Sequence, residues 1–221
     1  MKKLIYAFVA MCFIYPLILN AQTEKGKMLL GVSSRFSVLY LDKGPDIMSF
    51  GFSSQKYKSD DPNYEDEEAD KISSINISPR YGYFIIDNLA LGIDFSLASW
   101  IMKSGGSDYK DTWTIFSAGP FARYYFTTKN VLPFLEGYAV FGTAISKSTG
   151  GGDDYTDKSG ISAYGGGLGL AIPIGEKAAF DFMFGYNSSK IKDKEDNEDN
   201  TRSITGTFGI RFGFVIFLGK N

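Results

Sequence analysis

Six ionisable residues stand out by their placement: Arg80, Asp94, Arg123, Glu136, Asp181 and Arg211. Each lies about five to seven residues from a short turn, on the polar face of an alternating segment. At about 3.3 Å per residue and a tilt near 40°, that puts them in one layer roughly 15 Å above the turns. Three are cationic and three anionic. A two-residue turn at Lys129-Asn130 sets Arg123 opposite Glu136, and the turn before it brings Arg80 close to Asp94, pairings that favour a sheet. The chemistry open to such a layer is electrostatic: an ion-pair network, a selectivity constriction or a proton path.

Other chemistries lack their residues. The chain has no histidine and one cysteine, Cys12. A serine or cysteine nucleophile served by a histidine base is therefore absent, and the expectation is that the chain is not an enzyme. Any metal site would need oxygen ligands alone. The stretch 193–200 offers carboxylates but not the glycine and spacing of an EF-hand loop, and it reads as a solvated acidic loop. Gly165-Gly166-Gly167-Leu168-Gly169 lies in a strand with no helix after it, so it makes room for bulky side chains rather than cradling phosphate. No cofactor and no metal are expected.

The elements that must position the six are long strands. In 74–85 the odd positions are Ile75, Ile77, Pro79, Tyr81, Tyr83 and Ile85, while the even ones are mostly polar or small. After Asp87-Asn88, Leu89, Leu91, Ile93, Phe95 and Leu97 share one face against Ala90, Gly92, Asp94, Ser96 and Ala98. The unit recurs as 112–126 with 131–142 and as 161–172 with 178–186, its turns about 42 to 46 residues apart. With strands at 28–38 and 203–218 the count is eight. Strands of 9 to 11 residues suit a membrane crossing, whereas soluble strands average about 5 to 6. The expected fold is all-β, an eight-stranded antiparallel up-and-down transmembrane barrel. Its short turns face the periplasm, and the long connections 40–72, 102–111, 146–160 and 188–201 lie outside, carrying most of the acidic residues.

The N-terminus agrees. Lys2 and Lys3 precede an apolar run from Leu4 to Leu19, then Asn20-Ala21-Gln22, so residues 1–21 read as a signal peptide and 22–221 as one barrel domain. Without the two signal lysines, 21 basic residues face 25 acidic ones, a net charge of about −4 that gives nucleic acid no basic face. No later apolar run is long enough for a membrane helix, and aromatic residues make up 16% of the chain. A closed barrel satisfies its backbone in lipid without helices.

The segments Ile77-Ser78-Pro79-Arg80-Tyr81-Gly82-Tyr83-Phe84, Asp87-Asn88-Leu89-Ala90-Leu91-Gly92 and Gly119-Pro120-Phe121-Ala122-Arg123-Tyr124-Tyr125-Phe126 carry a resemblance. Through them the chain resembles the small outer-membrane β-barrel proteins of the porin family, similar to OmpA and OmpX barrels. The final strand, with Arg211, Gly213, Ile216 and Leu218 alternating, looks like an assembly signal, although the chain ends in Gly219-Lys220-Asn221 rather than an aromatic residue. The resemblance implies the cell outer membrane as location, with lipid and the barrel-assembly machinery as partners.

Three functions follow. The first is a non-enzymatic, monomeric barrel with a side-chain-plugged lumen, serving envelope integrity or meeting a surface or host partner through its acidic loops. The second is a narrow porin-like channel or small-ligand transporter. The third is a soluble periplasmic β-sandwich or lipocalin-like binder, which would place the apolar face inside. The first is preferred because eight strands enclose a space that side chains just fill. Pro79, Pro120, Pro133 and Pro173 fall inside expected strands, and in a barrel without edges they require bulges.

Overall fold

The computed structural model describes residues 22–33, 48–55, 70–126, 128, 130–150, 154–194 and 201–219. The expected signal peptide lies outside them. Ten strands follow in order: β1 (Met28–Ser33), β2 (Met48–Gln55), β3 (Asp70–Ile77), β4 (Pro79–Ile86) and β5 (Leu89–Lys103), then β6 (Lys110–Tyr125), β7 (Leu132–Thr149), β8 (Tyr155–Ile174), β9 (Ala178–Asp193) and β10 (Arg202–Leu218). Every pairing is antiparallel, and the order β1-β4-β5-β6-β7-β8-β9-β10 closes on itself when Met28–Ser33 meets Gly213–Leu218. β3 runs into β4 with a break at Ser78 and pairs with β5 on one side and β2 on the other. The architecture is an eight-stranded antiparallel barrel, with β3 and β4 sharing one strand position and β2 extending the position of β1.

The pleat decides which side chains go where. Along β5, Leu91, Ile93, Phe95 and Leu97 point outward and are exposed; Leu168 on β8 is 65% exposed and Phe208 on β10 is 71% exposed. Inside lie Arg80, Arg123, Glu136, Asp181 and Arg211, all buried. These faces are the reverse of what a soluble apolar-ligand cup requires, so the soluble binder is set aside.

The strands run further outward than the apolar contrast indicates. Of the expected connection 102–111 only 104–109 lies between strands; within 146–160, β7 runs to Thr149 and β8 starts at Tyr155, and within 188–201, β9 runs to Asp193. The polar extensions keep pairing, with Thr112 against Lys147 and Ser146 against Asp157, because each added rung gives two more backbone groups a partner. Of 40–72, the parts 40–47 and 56–69 lie outside the described residues, as do 34–38 of the first expected strand.

The prolines are accommodated without shifts of register. Pro79 opens β4 beside the Ser78 break; at Pro120 the β6–β7 ladder skips two residues on each strand and resumes in register. Pro133 and Pro173 sit one residue from strand ends, where few ladder bonds are lost. The single irregular rung of the β4–β5 pair falls between Phe84 and Ile86, away from any proline.

At the periplasmic end the turn at 87–88 places Asn88 at φ 66°, a conformation asparagine tolerates in tight hairpins. Residues 22–27 lie across this end. Gly26 N donates to Phe84 O at 2.9 Å, Asn88 N to Thr23 O at 2.7 Å, and Gln22 Nε2 to Glu176 O at 2.5 Å.

Candidate functional site

The candidate site is the ionic layer of the lumen, built from β4, β5, β6, β7, β9 and β10. Register brings its first pairs together: Arg80 stands opposite Asp94, and Arg123 opposite Glu136. Arg80 holds Asp94 with two parallel bonds, Nε to Oδ1 at 2.8 Å and Nη2 to Oδ2 at 2.7 Å. This fork geometry is what a guanidinium supplies and an ammonium does not.

Curvature brings the remainder together. Glu136, 1% exposed, accepts from three guanidinium groups at once. Arg80 reaches it at 3.0 and 3.1 Å, Arg123 Nε donates to Oε2 at 2.6 Å, and Arg211 Nη2 donates to Oε1. Arg123, also 1% exposed, donates through Nη1 to Asp181 Oδ2 and to the Tyr125 hydroxyl, the latter at 2.9 Å. All six expected residues thus belong to one connected network, with three charges of each sign. Asp181 Oδ1 has no hydrogen-bond partner among the described residues.

Aromatic rings frame the cations. Arg80 lies 4.4 Å from the Phe121 ring centroid, Arg123 4.0 Å from that of Phe134, and Arg211 5.5 Å from that of Tyr138. Desolvated contacts of this kind contribute about 2 kcal/mol or more. Space for Tyr138 comes from Gly165 on the neighbouring strand, where a Cβ would sit 2.8 Å from the tyrosine oxygen. Beneath the layer the lumen is apolar: Leu29, Phe84, Tyr125, Leu132, Phe134, Met183, Val215 and Phe217 are buried together. Tyr125 packs against Phe84, Phe134 and Phe217 with ring centroids 5.8 to 6.0 Å apart.

This aromatic floor was not among the expected lumenal residues. Its signal was present, since the alternation fails at the periplasmic end of several strands, where both faces turn apolar, as in Phe84-Ile85-Ile86 and Val215-Ile216-Phe217-Leu218.

Above the layer opens a cavity of about 300 Å³. Ser78, Ser96 and Ser117 line it together with Val140, Ile161 and Ile191, and Asp94 and Arg211 belong to its base. Among the described residues no cluster of three or more histidine, cysteine, aspartate or glutamate side chains is placed to hold a metal. The acidic run at 195–200 lies outside them.

A closed ring of strands with lipid-facing apolar residues and buried charge is the arrangement that comparison with known proteins explains. The model of the outer membrane protein beta-barrel domain family matches residues 30–212. The chain belongs to this family. As an outer-membrane β-barrel it resides in the cell outer membrane, crossing with strands; no helix among the described residues is long and apolar enough to do so. No curated protein has a sequence that matches this barrel. Among solved structures it is similar to the crystal structure of Neisserial surface protein A (NspA), at 19% identity and a TM-score of 0.37, over 87% of this chain and 97% of that one.

Proposed function

We propose that this outer-membrane barrel is a non-enzymatic, monomeric structural element of the envelope whose lumen is closed by its own side chains, and that it meets surface partners through its outer, acidic connections. The observation that carries the reading is the convergence of Arg80, Arg123 and Arg211 on Glu136 directly above the Tyr125 aromatic floor. An ion crossing the barrel would have to separate guanidinium–carboxylate pairs and then pass an apolar layer. Both steps are costly in a low-dielectric interior. The lack of histidine speaks against general-base hydrolysis at this layer.

Single-channel recording in a planar bilayer tests the reading. The wild-type barrel is expected to carry no steady current, and Arg123→Ala with Glu136→Ala is expected to raise conductance while the barrel still folds. A large, stable wild-type conductance would overturn the closed lumen and favour the channel. A second reading, carriage of a small ligand, draws on the cavity of about 300 Å³, which is at the lower end for ligand pockets. Saturable shifts of the Ile161 and Val140 methyl resonances with a small neutral probe would favour it.

A further inference from the structure

The outward face of this barrel carries two aromatic girdles. Tyr81 and Tyr83 on β4 with Tyr124 and Phe126 at the end of β6 mark the periplasmic end, while Phe116, Phe141, Tyr164, Tyr186 and Phe208, on β6 to β10, mark a higher level, all exposed. On β8 the apolar stretch from Ile174 up to Tyr164 spans ten residues, roughly 25 Å along the axis, which matches the apolar band of a membrane barrel. The upper girdle therefore marks the outer edge of the hydrocarbon.

Beyond that edge the strands continue, and their charges are sorted by face. Lys103 shares its face with Leu91 and Phe95, Lys110 with Phe116, Lys147 with Phe141, and Lys158 with Tyr164. These lysines point outward. The acids of the same extensions, Asp111 and Asp157, fall on the lumenal parity, where Ser148 bonds Asp111 at 2.5 Å. No outward carboxylate accompanies the lysines on the described strands beyond the girdle.

Register makes the lysines neighbours. Lys71 stands directly opposite Lys103, and Lys103 directly opposite Lys110. Lys147 pairs with Thr112 and Thr156, placing it diagonal to Lys110 and Lys158. Like charges directly opposite one another destabilise a sheet. Lys71, Lys103, Lys110, Lys147 and Lys158 thus form a cationic row that no carboxylate of the described strands joins on that face, and such a row is what an external anion would occupy.

We infer that this row binds the phosphate groups of glycolipid headgroups in the outer leaflet. Lys158 lies six residues above Tyr164, roughly 15 Å beyond the girdle, which exceeds the depth of an ordinary phospholipid headgroup and suits a phosphorylated saccharide. The flexible lysine stems reach back toward the membrane plane and cover part of that distance. The inference deepens the envelope role proposed above but does not depend on a closed lumen, so conductance and lipid retention can fail separately.

The test places the full-length barrel in phosphatidylcholine vesicles, either alone, with lipid A bearing both phosphates, or with dephosphorylated lipid A. Lipid A retained through extraction and purification is then quantified. The variant carries Lys103→Gln, Lys110→Gln, Lys147→Gln and Lys158→Gln. Wild type is expected to retain the phosphorylated form at least ten-fold better than the variant, with the difference shrinking as salt rises. In phosphatidylcholine alone the variant is expected to unfold at the same temperature as wild type or higher, because the repulsion is relieved. Equal retention by both proteins, or equal retention of the dephosphorylated lipid, would overturn the inference. So would a variant less stable than wild type in phosphatidylcholine, since the lysines would then be serving the fold itself.

Discussion

The ionic layer and the outer extensions handle charge in opposite ways. Within the membrane, Arg80, Asp94, Arg123, Glu136, Asp181 and Arg211 point inward, are mutually paired and sum to zero. Beyond the upper aromatic girdle, Lys71, Lys103 and Lys110 point outward, stand beside their own kind and share that face with no carboxylate of the described strands. The same pleat builds both regions. The difference lies in the surroundings: hydrocarbon outside the first forbids charge there, while headgroups and water outside the second accept it. A barrel of this kind carries two electrostatic programmes on one set of strands, switched at the girdle.

The largest expected effect comes from breaking the inner programme. Glu136→Ala leaves three guanidinium groups with two carboxylates, and the thermal unfolding of the barrel in vesicles should reveal a loss of about 3 to 5 kcal/mol. Adding Arg123→Ala should recover part of it by restoring two charges of each sign. The recovery cannot be complete, because Arg123 also holds Asp181, which must then turn to Arg211 on the neighbouring strand. A double variant no more stable than Glu136→Ala would show that charge balance is not what the layer supplies.

A smaller effect probes the hydrocarbon boundary between the two regions. Leu168→Arg, near the middle of the β8 apolar stretch, should cost about 2 to 4 kcal/mol, whereas Leu91→Arg, two residues into β5 beside the periplasmic turn, should cost about 0 to 1. Denaturant midpoints in vesicles give both values, and equal costs would displace the inferred membrane position. The smallest effect is expected from replacing 56–69 with a short Gly-Ser link between Gln55 and Asp70: closure entropy depends weakly on length, so the yield of folded barrel on gels should be unchanged. A failure to assemble would assign this segment a role in closing the barrel.

The fold and the inner layer could be read from sequence because both depend on period two. A face alternating Leu91, Ile93, Phe95 against Gly92, Asp94, Ser96 fixes a strand and its direction, and a two-residue turn fixes which residues meet across it. Contacts across the lumen are another matter. That Glu136 collects Arg80 and Arg211 as well as Arg123 depends on curvature, which pairwise register does not encode. The outer rungs were hidden for a different reason. Where hydrocarbon ends, apolar contrast ends with it, so Lys147 opposite Thr112 looks like loop although its backbone remains in the ladder.

The seam between β1 and β10 has a consequence for how the barrel forms. Met28 pairs with Leu218, residues 190 apart in sequence, and the seam consists of six rungs drawn from the two ends of the chain. Apart from the β1–β4 rungs, whose partners lie 47 to 55 residues apart from Val32–Pro79 to Met28–Tyr83, the other rungs of the ring join neighbouring segments that can form as hairpins, locally and fast. The seam must wait for all of them. It carries the highest loop-closure cost in the molecule, and until it forms two strand edges stand open to pairing with other chains. Ring closure is thus expected to be the last and slowest of the pairing steps. Slowing it by weakening these six rungs would lengthen the life of an open, sticky sheet while leaving the six ionic residues themselves unchanged.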